Sequence, residues 1–154
     1  MQKISVVAIS KPSKKDFYKD RIDEYIKRSS RFCELSLIEV FNKEIEKSQK
    51  INDSSAQEVY RRFLQKEFTD RNIALDPKGR SVDSLEFAKL FYDYGSVNFY
   101  IGGAYGFDNR FLESCDSVVS LSPLTFDHKL ATLICFEQIY RGFCEKNNHP
   151  YATK

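Results

Sequence analysis

Apolar and polar positions along the chain change their spacing several times, and each change marks an element. Residues 3–9 (KISVVAI) read as a strand. A helix follows at about 13–30, with Phe17, Ile22, Tyr25 and Ile26 on one face and Ser13 placed to cap it. Leu35, Leu37, Ile38 and Val40 mark a second strand, and the polar stretch FNKEIEKSQKIND reads as a link. At SSAQE, Ser55 and Glu58 have capping-box spacing and open a helix to about residue 69 that buries Val59, Phe63 and Leu64. NIALD is a short strand stopped by the turn-forming DPKG. A helix from about 83 to 94 ends at Gly95, which suits a left-handed C-terminal glycine. VNFYI is the next strand, Asp108 opens a short helix through Glu113, and SVVSLS is the last strand. SPLTFD is a loop capped by Thr125 or Asp127, and roughly 127–146 form a long final helix.

Five alternations of strand and helix predict an α/β fold with a mainly parallel sheet flanked by helices. At 154 residues the chain is expected to form a single domain over 1–154. In such sheets ligands bind beyond the carboxyl ends of the strands. Three of those ends are unusual, LDPKG, IGGAYG and SLSPLTF, and they are expected to converge on one pocket.

Composition narrows the classes. No run reaches the roughly 18–20 apolar residues of a membrane span, and the N-terminus lacks the features of a signal peptide. The four cysteines, Cys33, Cys115, Cys135 and Cys144, have no metal-ligand spacing, and two histidines are too few for a zinc site. Reduced thiols in a cytoplasmic protein with no metal are the expectation. The net charge is only +2, yet residues 1–31 hold nine Lys/Arg against four Asp/Glu. Lys14 and Lys15, between Lys11 and Lys19, form either a solvated helix start or a phosphate-contacting patch.

The glycines at 102, 103 and 106 fit neither GxGxxG nor a P-loop. They imply a tight turn or a ligand pressed against main chain. SLSPLTF sets Pro123 between Ser122 and Thr125, a loop offering unpaired backbone groups beside the apolar Leu121, Leu124 and Phe126. That mixture suits a purine-like ring, or else an ordinary strand-to-helix connection. His128 starts the final helix as a structural residue or a base. Glu137 and Arg141 have the spacing of an intrahelical pair.

Taken in order, Leu75-Asp76 before a Pro/Gly turn, IGGAYG, LSPLTF followed by His128, EQIYRGF and the tail Pro150-Tyr151 resemble the RlmH family. These are 23S rRNA pseudouridine N3-methyltransferases of the SPOUT superfamily, and the resemblance runs the length of the chain. It implies a C-terminal trefoil knot, a homodimer, and an S-adenosyl-L-methionine pocket. The implied cofactor contacts are Leu75, Gly102, Leu121, Ser122, Pro123, Leu124, Thr125 and Phe126. It further implies methyl transfer to N3 of a pseudouridine in large-subunit rRNA or the ribosome, without a metal. His128 and Arg141 are the candidates for proton handling or anion stabilisation. Tyr151, Lys154, Lys14 and Lys15 are the candidates for RNA contact. The family often ends Tyr-His-Lys or Tyr-His-Arg, whereas this chain ends Tyr151-Ala152-Thr153-Lys154. That tail keeps a second reading open, a non-catalytic ribosome- or RNA-binding protein on the same fold.

Overall fold

The computed structural model describes residues 1–12 and 14–153. Five parallel strands form one sheet in the order β2-β1-β4-β3-β5. They are β1 (Gln2–Ile9), β2 (Cys33–Val40), β3 (Arg71–Ser81), β4 (Ser96–Ile101) and β5 (Ser117–Ser120). Between them lie α1 (Phe17–Ser29), α2 (Lys43–Gln49), α3 (Asp53–Leu64), α4 (Ser84–Lys89) and α5 (Asn109–Ser114), and α6 (His128–Lys146) follows β5.

Alternate side chains of each strand enter two separate cores, as the two-residue pleat requires. Ile4, Val6 and Ala8 of β1, Ile73 and Leu75 of β3, and Val97, Phe99 and Ile101 of β4 share one core with residues of α1, α4 and α6. Val7, Ile9, Ala74 and Tyr100 face the other, filled by Ile45, Tyr60 and Phe111 from α2, α3 and α5. That second core holds a satisfied polar chain. Tyr100 donates to Asn72 Oδ1 (2.8 Å), and Asn98 Nδ2 donates to Tyr100 Oη (3.1 Å) and to the Glu67 carbonyl (2.7 Å).

The elements differ from expectation in five places. The polar link contains α2, capped by Asn42 through Ile45 N (2.8 Å). Asn52, not Ser55, caps α3, which buries Ala56, Tyr60 and Leu64 while Val59 and Phe63 are only partly covered. Chain pairing overrides the DPKG turn: β3 bulges after Leu75 and resumes against β5 at Arg80 and Ser81. Helix α4 stops at Lys89, and the left-handed residue beyond it is Asp93 (φ 66°) rather than Gly95. Finally, Asp16 caps α1, and Phe17 is 67% exposed instead of buried with Ile22 and Tyr25. Ser13 lies outside the described residues.

Register fixes where a ligand can enter. Leu75 pairs with Ile101 on one side and with Val119 on the other, so β4, β3 and β5 reach their carboxyl ends side by side.

Candidate active site

Beyond those three ends lies a cavity of about 410 Å³, within the usual range for a small-molecule site. All three irregular stretches contribute to its wall. Leu75, Asp76 and Pro77 come from the β3 bulge, Ile101 through Ala104 and Gly106-Phe107 from the β4 end, and Ser120-Leu121-Ser122 with Leu124 through His128 from the last loop. Of the proposed cofactor contacts, Leu75, Gly102, Leu121, Ser122, Leu124, Thr125 and Phe126 line the cavity. Pro123 stands between two wall residues and is not itself on the wall.

The three glycines serve three purposes. Gly106 has φ +71° and closes a turn by donating to the Gly103 carbonyl (3.1 Å). A Cβ on Gly103 would lie 2.9 Å from Tyr60 Oη and 3.0 Å from Ile9 Cγ2. One on Gly102 would lie 3.2 Å from Gly106 Cα, in the cavity wall itself. The loop is therefore both a tight turn and a close-packed wall. Helix α3 holds it from outside: Gln57 Nε2 donates to the Tyr105 carbonyl (2.8 Å), and Arg61 Nε donates to Asp108 Oδ2 (3.0 Å).

The last loop keeps its backbone groups open. Ser122 Oγ accepts from Leu124 N (2.9 Å), and Ser120 Oγ donates to the Ser122 carbonyl (3.0 Å). Among the described residues, the N–H groups of Ser122, Thr125 and Phe126 donate to no main-chain carbonyl. Asp127 then caps α6 by accepting from Lys129 N (3.1 Å).

The charge on the wall is distinctive. Two carboxylates, Asp76 and Asp127, line the cavity, and no Lys or Arg does among the described residues. Asp76 and Pro77 belong to LDPKG, one of the three strand ends expected to meet here, although neither is among the expected cofactor contacts. Ile101, Phe107 and Ala131 carry no sequence signal beyond apolarity.

His128 lies on the wall, with Nδ1 3.6 Å from Asp127 Oδ1. Arg141 does not. It stands about 20 Å further along α6, given ~1.5 Å rise per residue. There Nε donates to Glu137 Oε1 (2.9 Å) and the guanidinium lies 4.8 Å from the Tyr151 ring centroid. Burial works against the Arg141 cation, and the Glu137 carboxylate outweighs it, so its pKa is raised. Tyr151 packs edge-on against Tyr140 (4.8 Å), and burial raises its phenol's pKa. Lys14 and Lys15 are exposed beyond the end of β1, and Lys154 lies outside the described residues. The described residues contain no His/Cys/Asp/Glu cluster able to hold a metal, and no helix long and apolar enough to cross a membrane.

Known proteins share this sequence and architecture. A protein from Sulfurovum sp. named ribosomal RNA large subunit methyltransferase H is 47% identical over 150 residues, covering 97% of this chain and 98% of its own. One of the same name from Aliarcobacter butzleri is 44% identical over 149 residues, with 97% and 98% covered. Among solved structures, a probable methylase family protein from Haemophilus influenzae superposes with a TM-score of 0.56 at 12% identity, over 95% of this chain and 68% of that one. A candidate RNA methyltransferase from Bacillus anthracis gives 0.53 at 14%, over 96% of both. A family model described as "Predicted SPOUT methyltransferase" matches residues 2–152. The chain belongs to the SPOUT methyltransferase family.

Proposed function

We propose that the protein methylates N3 of a pseudouridine in large-subunit ribosomal RNA, using S-adenosylmethionine and acting as a homodimer. Its relatives are named for the large-subunit rRNA reaction. The observation that carries the cofactor assignment is the cavity's charge: two carboxylates and no Lys or Arg among its described wall residues. A phosphate-bearing nucleotide would meet repulsion there, whereas a sulfonium and an ammonium are complemented. The relatives' names do not favour a non-catalytic RNA-binding protein on the same fold.

The residues fit the proposed ligand. A side chain on Gly102 would press on Gly106 Cα at 3.2 Å, and its absence lets main chain close on the cofactor. The N–H groups of Ser122, Thr125 and Phe126, which meet no main-chain carbonyl among the described residues, suit an adenine ring with Leu121 and Phe126 beside it. Asp76 and Asp127 would balance the ligand's positive charges. Bound S-adenosylmethionine supplies an electrophilic methyl on a sulfonium, which departs as a neutral thioether. N3 carries a proton that must leave as the methyl arrives, and His128, a residue of the cavity wall, would take it. Holding N3 in line with the methyl provides much of the acceleration.

Arg141 and Tyr151 are too far from their own chain's cavity to join His128 there. In a homodimer they would serve the partner's site. The C-terminal knot belongs to the same proposal. The test is methyl transfer to ribosomes from cells lacking the modification, with mass spectrometry locating the added methyl. Methyl on a pseudouridine N3 is the expected result. Cofactor binding without transfer would overturn the catalytic assignment, and absence of both would overturn the whole reading.

A further inference from the structure

Phe17 is the first residue of α1, yet 67% of it is exposed, although its spacing places it with the buried Ile22 and Tyr25. We propose that Phe17, flanked by Tyr18, Lys14 and Lys15, is a stacking platform for an unpaired base of the RNA substrate beside the cavity mouth. The inference rests on the RNA methyltransferase reading above and names where that RNA lies.

Position is the first argument. Asp16 precedes Phe17, Lys129 follows His128, and Lys129 Nζ lies 3.1 Å from Asp16 Oδ2. That ion pair ties the start of α1 to the start of α6. A small cleft between the two helix starts is lined by Tyr18 on one side and His128 on the other. His128 also lines the main cavity, so cleft and cavity share that residue, and the cleft's other wall is Tyr18, the neighbour of Phe17.

Charge is the second argument. Asp16 and Lys129 neutralise each other, whereas Lys14 and Lys15 are exposed and form no ion pair among the described residues. Lys14 and Lys15 bring positive charge to the chain leading into the ring, as a phosphate backbone requires, with Asp20 exposed in the first turn of α1 and Glu39 lining the cleft. Rigidity is the third. Asp16 Oδ1 accepts from Lys19 N at 2.9 Å, fixing the helix start, and the Tyr18 ring meets Phe17 edge-on at 5.6 Å. An exposed aromatic ring braced by a second one, with two lysines just before it in the chain, suits base stacking, which tolerates any base.

The chain has no Trp, so Phe17→Trp places its sole indole at the platform. Two measurements test the proposal: quenching of that indole by a short single-stranded oligouridylate, and KM for unmodified ribosomes in wild type, Phe17→Ala and Phe17→Trp. Saturable, salt-sensitive quenching is expected. Phe17→Ala should raise KM for ribosomes about tenfold, with a much smaller effect on kcat and on cofactor affinity, and Phe17→Trp should restore it. Absence of quenching together with an unchanged KM would overturn the platform. So would dissociation of a wild-type dimer by Phe17→Ala, which would make the surface an interface between copies. A wild-type protein that methylates no rRNA would defeat the functional reading instead, and quenching alone would then decide whether RNA stacks here.

Discussion

Gly79 lies against the backbone of Val119 so closely that an added Cβ would sit 2.6 Å from both its N and its carbonyl carbon. This contact sets the β3 bulge, because the four residues after Leu75 leave the ladder and return to it at Arg80. The bulge in turn carries Asp76 and Pro77 onto the cavity wall. Gly79→Ala must therefore push β3 from β5. It should destabilise the fold by about 1–3 kcal/mol, the usual cost of overpacking, and weaken cofactor binding as well. Urea denaturation and cofactor titration check the two effects. Unchanged affinity in a destabilised protein would separate the bulge from the cavity.

Gly103→Ala and Gly106→Ala should fail for different reasons. At Gly106 no atom of the described residues lies within 4 Å of an added Cβ, so the cost is the left-handed backbone, roughly 1–2 kcal/mol. At Gly103 the new methyl meets Tyr60 Oη and Ile9. Adding Tyr60→Phe should recover part of the Gly103→Ala loss and none of the Gly106→Ala loss. A double-mutant cycle in denaturant measures this, and equal recovery in both would refute the contact.

The same contrast shows what a linear reading can reach. The parallel α/β fold and the meeting of three strand ends were legible, because apolar spacing and strand-end glycines are local. Helix α2 was not, since Ile45 and Ser48 are its only buried residues and leave no helical stripe. Asp-Pro-Lys-Gly is a strong local turn signal, and here pairing with β5 outweighs it. Likewise Phe17 fits the apolar face of α1 by spacing, but the helix starts at that residue and leaves it exposed. The resemblance pointed to LSPLTF, and every residue of that loop except Pro123 lines the cavity. The separation of His128 from Arg141 follows from simple helix rise and bears directly on how they can act.

Asp108 has two tasks that substitution can divide. Its Oδ1 accepts from Phe111 N (2.8 Å) as the cap of α5, and its Oδ2 pairs with Arg61 (3.0 Å). Asp108→Asn should keep the cap and lose only a partly exposed ion pair, about 0.5–1 kcal/mol. Asp108→Ala should cost about 1 kcal/mol more, the typical value of a cap. Equal losses in the two variants, measured by chemical denaturation, would assign the stability to the ion pair alone.

Alkaline pH should destabilise the protein through its thiols. Burial pushes Cys33 and Cys115 up from an ordinary 9.0 to about 12, and raises Cys135 as well. Above pH 9 the unfolded chain releases these protons while the folded chain retains them. Stability is thus fully present below pH 9 and is lost as pH rises toward 12. Each such thiol contributes a slope of up to about 1.4 kcal/mol per pH unit inside that window. Denaturation midpoints at pH 8, 9 and 10 should be level and then fall. Cys33→Ser would change side-chain polarity as well, so Cys33→Ala is the cleaner control, and it should reduce the slope above pH 9.

His128 and Arg141, separated by about 20 Å on one helix, can serve one reaction only if two chains share each site. In that case His128→Ala and Arg141→Ala, each inactive alone, should complement when unfolded together and reassembled. A mixed dimer has one site with both substitutions and one with neither. Equal mixing makes half the dimers mixed, so about a quarter of wild-type activity should return. Methyl transfer after co-refolding is the measurement, with each variant refolded alone as control. Activity no greater than the average of the two controls would confine each site to a single chain. Arg141 would then have a local role, holding the tail through Glu137 and the Tyr151 ring.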